Sequence, residues 1–276
     1  MWSVVQIHSS RPNFFAVAKI LITNDDGVEA EGLVCLEEHL QGLAELVVVA
    51  PDRERSAVSH GLTLHSPLSL QKNIENHYVL NGTPVDCIIY ALHHLFDTMP
   101  DLVISGINHG ANLSDDIMYS GTVAAAREAS HQGIPALAIS QAYDNKPIQF
   151  KEGAEFARSL VKTMLSRVPV STYFLNVNIP VRRIRGVRIT RQGCSNNFRH
   201  YNALDRESEA GKAGETVERE SDMMLDYHAI HNNYISITPL QRDQTDYAAA
   251  RALVMEKPEF IRKGRFPGLG LIGFKN

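Results

Sequence analysis

Cysteine is scarce in this chain: Cys35, Cys87 and Cys194 are the three among 276 residues. Their spacing fits neither a zinc motif nor a disulfide framework, so reduced thiols in a cytosolic protein are expected. Cys35 and Cys87 sit in apolar helical patterns and are expected in the core. No HxxxH or CxxC pair is present, which removes the usual zinc signatures. No run approaches the ~18–20 apolar residues that a membrane helix needs. Neither sign of charge dominates, with 27 Lys and Arg against 31 Asp and Glu and a net charge of -4. Nucleic acid and an acidic membrane are therefore not expected as obligatory partners. A small phosphorylated substrate stays open, because a local positive site does not need a positive protein. Internal repeats and low-complexity segments are lacking. Residues 1–18 hold one Arg and only short apolar runs. They do not read as a secretory signal, and a translated leader or an upstream start codon is the reading preferred.

What is there is an ordinary globular composition, 44% hydrophobic and 21% charged, enough for one large core plus an appendage. From Lys19 onward, strand and helix patterns alternate. Strands are expected at 19–23, 45–50, 68–71, 78–80, 101–105, 134–140 and 173–178. Helices are expected at about 30–40, 84–95, 120–132 and 149–166. The short β-branched runs suit buried parallel strands, and the order argues for a mostly parallel α/β sandwich. Thr83 is the expected N-cap and Pro84 the first residue of its helix. A long polar loop covers 51–67, and a Gly/Asn-rich loop is expected at 106–119. The character changes near Arg185. Residues 201–226 are dense in Asp, Glu, Lys and Arg, reading as an exposed hairpin or arm. Strand patterns return at 228–239, followed by a short helix near 245–255 and an irregular basic tail. The expected division is an extension at 1–18, a catalytic core at 19–190, and a β-rich arm, short helix and oligomerisation segment at 191–276.

Ligands of open α/β sheets bind at the carboxyl ends of the strands. Three polar clusters fall at such ends: Asn24-Asp25-Asp26-Gly27, residues 51–59, and Ser105-Gly106-Ile107-Asn108. Adjacent carboxylates after a buried strand repel one another unless a cation separates them, and a hard divalent ion prefers oxygen ligands. An Asp pair can equally be a helix N-cap and its neighbour; the two further clusters tip the balance toward metal. Ser56 and Asn108 offer neutral oxygens that would complete a four-ligand set, although each alone reads as a turn residue. His60, His65 and His109 are expected to support the site rather than bind metal. Ser120-Gly121-Thr122 opens a helix where a phosphate could meet free N–H groups and two hydroxyls. Asn81-Gly82-Thr83 has the same logic and a stronger claim to a purely structural role. Arg53 and Arg55 could meet a phosphate or remain solvated loop cations.

The segments ILITNDDGVEAEGL (20–33), VVAPDRERSAVSHGLTL (48–64), NGTPVDC (81–87) and DLVISGINHGANLSDDIMYSGTVAAAREA (101–129) resemble the signatures of the SurE, or stationary-phase survival protein, family. LNVNIP (175–180) and ISITPL (235–240) fit its second half, and the resemblance spans about 19–245. Four ordered blocks at consistent spacing are far more specific than one short motif. The resemblance implies a Rossmann-like domain with helices on both faces of its sheet, and one divalent cation per subunit, Mg²⁺ or Mn²⁺. It implies phosphatase activity on nucleoside 5′-monophosphates, sometimes on 3′-monophosphates and polyphosphate. The metal ligands carry over to Asp25, Asp26, Ser56 and Asn108. Residues 1–18 depart from the family's usual start, and 195–225 and the tail match only loosely.

On this reading a water activated by the metal attacks phosphorus in line. Asp25 or Asp26 would orient that water or accept its proton, and Ser120, Gly121, Thr122 and the nearby Asn112 would hold the phosphate. A covalent aspartyl phosphatase would need a nucleophile where this chain has Asn24, which cannot form an acyl phosphate. A nucleotide-binding regulator without turnover is the alternative, and it would not need paired carboxylates. The charged arm near 195–225 would be ordered only against another subunit. A homodimer or larger is therefore expected, in the cytoplasm, and the SurE resemblance implies dimers with exchanged C-terminal segments, often paired into homotetramers.

Overall fold

The structure, a computed structural model, describes residues 17–144, 146–166, 173–181, 183–194 and 223–256. The chain forms two compact units, the first ending at Arg242 and the second starting at Asp243. The first unit is a nine-stranded mixed sheet of order β3-β4-β2-β1-β5-β6-β7-β9-β8. In chain order these strands are β1 Lys19–Thr23, β2 Glu45–Pro51, β3 Leu70–Ile74, β4 His77–Leu80 and β5 Leu102–His109. They continue with β6 Ala136–Gln141, β7 Tyr173–Ile179, β8 Gly186–Ile189 and β9 Tyr234–Gln241. The run β4-β2-β1-β5-β6-β7 is parallel. Strand β3 is antiparallel to β4, and β9 is antiparallel to β7. The expected α/β architecture is the one observed.

Period-two alternation splits the central strands between two cores. Ile20, Ile22, Val48, Ala50 and Ile104 face one side, where Leu33, Leu36 and Leu40 of α1 (Glu31–Leu40) and Ala154, Ala157 and Val161 of α4 (Lys151–Leu165) cover them. Leu21, Val47, Val49 and Val103 face the other. There Cys87, Ile88 and Ala91 of α2 (Pro84–His94) and Val123, Ala126 and Ala129 of α3 (Gly121–His131) pack on them. Sheets sealed on both faces need such uninterrupted apolar strands. Cys87 is fully buried, Cys35 only partly, and Cys194 is exposed. Burial pushes the Cys87 thiol well above the usual range. The chain runs from β1 toward β2 and β4 on one side and from β5 toward β6 and β7 on the other. The gap between β1 and β5 is therefore the topological switch point of the sheet.

Three segments depart from expectation. Strand β5 runs to His109, past its expected end at Ser105, because a bulge absorbs Gly106 and Ile107. Pairing then resumes at Asn108↔Ser140 and His109↔Gln141. The stretch around His228 begins as a helix, α5 Asp226–His231, with the strand following only at Tyr234. Leu225 and Ala229, four residues apart, bury one helical face there. Residues 186–189 add an edge strand, β8, with Val187 and Ile189 largely exposed. The expected arm and tail fall mainly on 195–222 and 257–276, outside the described residues, as do 1–16. The second unit contributes helix α6, Tyr247–Glu256, with Asp246 Oδ1 accepting the Ala248 and Ala249 N–H groups at 2.9 Å. Among the described residues no helix is long and apolar enough to cross a membrane.

One buried carboxylate ties the last part of the first unit to the rest. Asp226 is fully buried and accepts hydrogen bonds from Ser114 N (2.8 Å), Gly193 N (3.1 Å), Tyr227 N (2.8 Å) and the Ser114 hydroxyl (3.2 Å). Gln192 Nε2 donates to Ser114 O at 3.0 Å. The backbones of Arg191, Met224 and Asp226 bond one another at 3.0 Å. Removing the carboxylate leaves three backbone N–H groups without acceptors, each worth about 1–3 kcal/mol when buried. Asp226→Ala should therefore lower unfolding stability by about 3 kcal/mol or more in urea titrations. A loss below about 1 kcal/mol would mean that water or neighbouring groups replace the carboxylate.

Candidate functional site

The end of β1 places Asn24, Asp25 and Asp26 at the switch point. Asn24 is buried and spends its side-chain amide on Gly27 O at 2.7 Å, closing the turn that leads to α1. Asp25 is only 5% exposed. Its carboxylate accepts the Thr122 hydroxyl and the Thr122 backbone N–H from the first turn of α3. Asp26 is half-buried and accepts His109 N at 3.0 Å from the end of β5. Arg55 N donates to Asp25 O at 2.7 Å, fastening the loop after β2. Hydrogen bonds to this one Asp pair thus gather segments from β2, β5 and α3.

Electrostatics single out the same pair. Burial raises the Asp25 carboxyl from 3.8 to about 6; the Thr122 hydroxyl opposes the rise and the Asp26 charge adds to it. Asp26 is also raised, first by burial and then against the pull of the His109 N–H, with Glu54 adding to the rise. Neither carboxylate is in an ion pair among the described residues. Two desolvated acids side by side, with no Lys or Arg paired to them among the described residues and only the His109 side chain drawing on Asp26, are suited to a bound cation.

The neutral oxygens expected to complete a ligand set lie on the segments that reach this pair. Asn108 follows the β5 bulge, directly before the His109 N–H that binds Asp26. Its amide nitrogen donates to Gly110 O at 2.8 Å, so Oδ1 is the atom left as an acceptor. Ser56 follows Arg55 and donates its hydroxyl to Glu54 Oε1 at 2.6 Å, keeping Oγ lone pairs available. Among the described residues no three His, Cys, Asp or Glu side chains form a metal cage. A set of two carboxylates with serine and asparagine oxygens is of a different kind, and its oxygen-only chemistry fits Mg²⁺ or Mn²⁺ rather than zinc.

The α3 N-terminus stands against the pair. Ser120 is its N-cap, accepting Val123 N at 3.1 Å. A Cβ at Gly121 would lie 2.9 Å from both Cβ and Oδ2 of Asp25 and 3.1 Å from Val58 Cγ1. The glycine therefore lets the helix close on Asp25, and any side chain there would displace that carboxylate. The Gly121 N–H, in the first turn, has no intrahelical acceptor. These residues join the Asp pair in one place.

The other expected phosphate contacts are engaged in holding loops. Thr83 and Asp86 form a reciprocal capping box at α2, and the Thr83 hydroxyl donates to Gly61 O at 2.8 Å. Gly82 packs on the Asp86 side chain. Asn81 Oδ1 accepts Ser69 N at 2.7 Å. Asn112 is buried, donating to Ser140 Oγ and Asn178 Oδ1 at 2.8 Å while its carbonyl accepts from Asn176 and Asn178. Arg55 pairs with Asp52 at 3.0 Å, and the largely exposed Arg53 lies 3.9 Å from Asp52. His60 sits 2.9 Å from Glu128 on α3, fixing the loop that carries Ser56, while His65 is exposed. Sequence reasoning passed over Glu54, which holds Ser56, and Tyr143, which follows β6. Its position just past a strand end was the available signal for Tyr143.

A family model described as Survival protein SurE matches residues 20–199. The chain is 44% identical over 243 residues to the 5′-nucleotidase SurE of Pelobacter propionicus, covering 85% of this chain and 97% of that one. It is 42% identical over 247 residues to the 5′-nucleotidase SurE of Vibrio cholerae, covering 85% and 96% respectively. The solved structure of the SurE protein from Aquifex aeolicus matches with a TM-score of 0.73 at 37% identity, over 87% of this chain and 99% of that one.

The Asp25 carboxyl gives a stability test with a definite sign. Its pKa in the folded chain, about 6, lies above the ordinary 3.8, so the native state holds the proton longer than the unfolded one. The stability this contributes is full below about pH 4 and is lost as pH rises through 6. At 1.36 kcal/mol per pKa unit the loss is at most about 3 kcal/mol. In chelator, Asp25→Asn should therefore be more stable than wild type at pH 8 and equal to it at pH 4, by urea unfolding. An identical difference at both pH values would mean that ionisation of Asp25 has no part in it.

Proposed function

The chain belongs to the SurE family, and from that membership and the site we propose that it is a divalent-metal-dependent phosphomonoester hydrolase acting on nucleoside 5′-monophosphates. The observation that carries this is the desolvated, unpaired Asp25–Asp26 couple held against the first turn of a helix. A cation and a phosphate can thus be bound side by side. Asp25, Asp26, Ser56 and Asn108 would hold one Mg²⁺ or Mn²⁺. When bound, such an ion supplies charge neutralisation for the phosphoryl group and acidity for a water.

The chain's own groups supply the rest. The Gly121 N–H and the Ser120 hydroxyl would hold the phosphate at the positive end of α3, with Thr122, whose hydroxyl proton goes to Asp25, flanking it. The Thr122 hydroxyl, bonded to Asp25, fixes both that carboxylate and the helix start. Asp26, the less buried of the pair, is the better placed to take a proton from water attacking phosphorus in line, with Asp25 as the alternative base. Asn112 and the Asn81–Thr83 turn act by holding the loops that border the site. Most of the rate would come from fixed positioning and charge. Assembly belongs to the same proposal: a homodimer or larger, built through residues 195–225 and the tail.

Purified protein should release phosphate from AMP with Mn²⁺ or Mg²⁺, and chelator should abolish release reversibly. Asp26→Asn should lower kcat by roughly 10³-fold, a loss of the size that follows removal of one preorganised charge-stabilising group, with an unchanged circular dichroism spectrum. Full turnover in excess chelator would overturn the metal mechanism, and nucleotide binding without phosphate release would favour a regulatory protein. Gly121→Val should impair metal and phosphate binding together by calorimetry, because its side chain strikes Asp25. Light scattering at micromolar concentration should give a dimer or larger, and a monomer would remove the assembly claim alone.

A further inference from the structure

The loop that carries Ser56 is held in an unfavourable shape. Ala57 and Ser59 both have positive φ, 57° and 55°, a region that residues with a Cβ rarely keep unless their surroundings impose it. Ser56 and Ala57 are exposed, so burial of these residues does not impose it. Hydrogen bonds to neighbouring elements do. Ser59 N donates to Tyr119 O at 2.9 Å and the Ser59 hydroxyl to Met118 O at 2.7 Å, just before α3. From the start of α2, the Thr83 hydroxyl donates to Gly61 O at 2.8 Å.

The remaining anchor is a side chain of α3 itself. His60 Nε2 lies 2.9 Å from Glu128 Oε2. Glu128 stands seven positions after Gly121, about two turns along the same face of the helix. Val58 lies over Gly121 and His60 reaches Glu128, so the loop runs alongside the helix that meets Asp25. Glu128 is buried, and Gln132 Nε2 donates to its other oxygen at 2.9 Å. The hydrogen bond from His60 holds the Glu128 carboxyl below its usual range although burial opposes this. The His60 ring also rests near that of His131, with centroids 5.9 Å apart. Such a buried contact adds little net stability, because desolvation offsets the attraction. Its effect is on geometry: Gln132 fixes the carboxylate and the carboxylate fixes the imidazole. Helix α3 thus reaches two of the expected metal ligands, Asp25 directly through Thr122 and Ser56 through Glu128 and the loop.

We infer that Glu128 is a positioning residue of the metal site: acting through His60, it holds the loop in the shape that presents the Ser56 hydroxyl to the Asp25–Asp26 pair. The inference rests on the metal-dependent reading for the ligand concerned. Glu128 takes no part in the chemical step.

Mn²⁺ binding to the full chain, measured by calorimetry, is the test. His60→Ala and Glu128→Ala should each weaken binding at least about tenfold, the size of loss that follows removal of a group orienting a metal ligand. Glu128→Gln, which keeps an acceptor for His60, should recover most of that loss. Phosphate release by the variants should need more Mn²⁺ for half-maximal rate, with kcat returning toward the wild-type value at saturating Mn²⁺. His60→Ala alters only a loop side chain and gives the answer even if Glu128→Ala does not fold. In a Ser56→Ala background, His60→Ala should weaken Mn²⁺ binding no further, because the ligand it positions is already gone. Unchanged Mn²⁺ affinity in His60→Ala, or equal weakening with and without the Ser56 hydroxyl, would overturn the inference and leave the metal site and the hydrolase standing. A wild-type chain that binds Mn²⁺ without releasing phosphate would sink the hydrolase reading alone. A wild-type chain that binds no Mn²⁺ would sink the metal reading and this inference with it.

Discussion

A buried aspartate at the end of an otherwise apolar strand is the constraint around which the site is arranged. Burial disfavours the charged form of Asp25 there and raises its pKa to about 6. The surroundings compensate in part. A helix N-terminus points its first turn at the carboxylate, Thr122 donates to it, and Gly121 gives up a side chain so that the helix can approach. Asp26 adds a second charge beside it. Such a pair destabilises a fold with no cation present, and its uncompensated charge is what the proposed metal site would draw on.

The sheet topology explains why this can be built from so few residues. At a switch point the connections on either side diverge, and the carboxyl ends of β1 and β5 are left open to ligands. Asp25 and Asp26 come from one, Asn108 from the other, and the loop after β2 brings Ser56. The far half of the sheet serves the site less directly. The Asn112–Ser140–Asn176–Asn178 network and the Asp226 carboxylate hold residues 112–114, which lead through a short 3₁₀ turn, Ser114–Met118, into α3. A chain segment more than a hundred residues away thereby fixes the run-in to α3, whose first turn meets Asp25.

Much of this was legible in the sequence. The β-branched runs located the central strands to within a residue or two at both ends, except at the carboxyl end of β5, because burial on both faces demands such runs. Pro84 and Thr83 marked the α2 start, which is a capping box in the structure. Where reading failed, a local signal was outweighed by a distant contact. Gly106 looked like the end of a strand, but β6 continues to pair beyond the bulge. His228 looked like the start of a strand, but a buried carboxylate and the Leu225–Ala229 face make it a helix. Asn81, Gly82 and Thr83 resembled Ser120, Gly121 and Thr122 in composition, and the difference lies in which carboxylate each turn meets: Asp86, which completes the α2 capping box, or Asp25, which lies beside a second carboxylate, Asp26.

The sequence by itself determined the α/β class, the family, and the residue types available for oxygen-ligand chemistry, because periodicity and strand-end motifs are local properties of the chain. Only the tertiary structure decided which of those motifs converge. Desolvation of Asp25, the N–H of His109 on Asp26, the clamp on Ser114 and the seating of Tyr143 against His109 all arise between residues far apart in sequence. Their energies depend on distance and on excluded water, and neither quantity is written in the order of the residues.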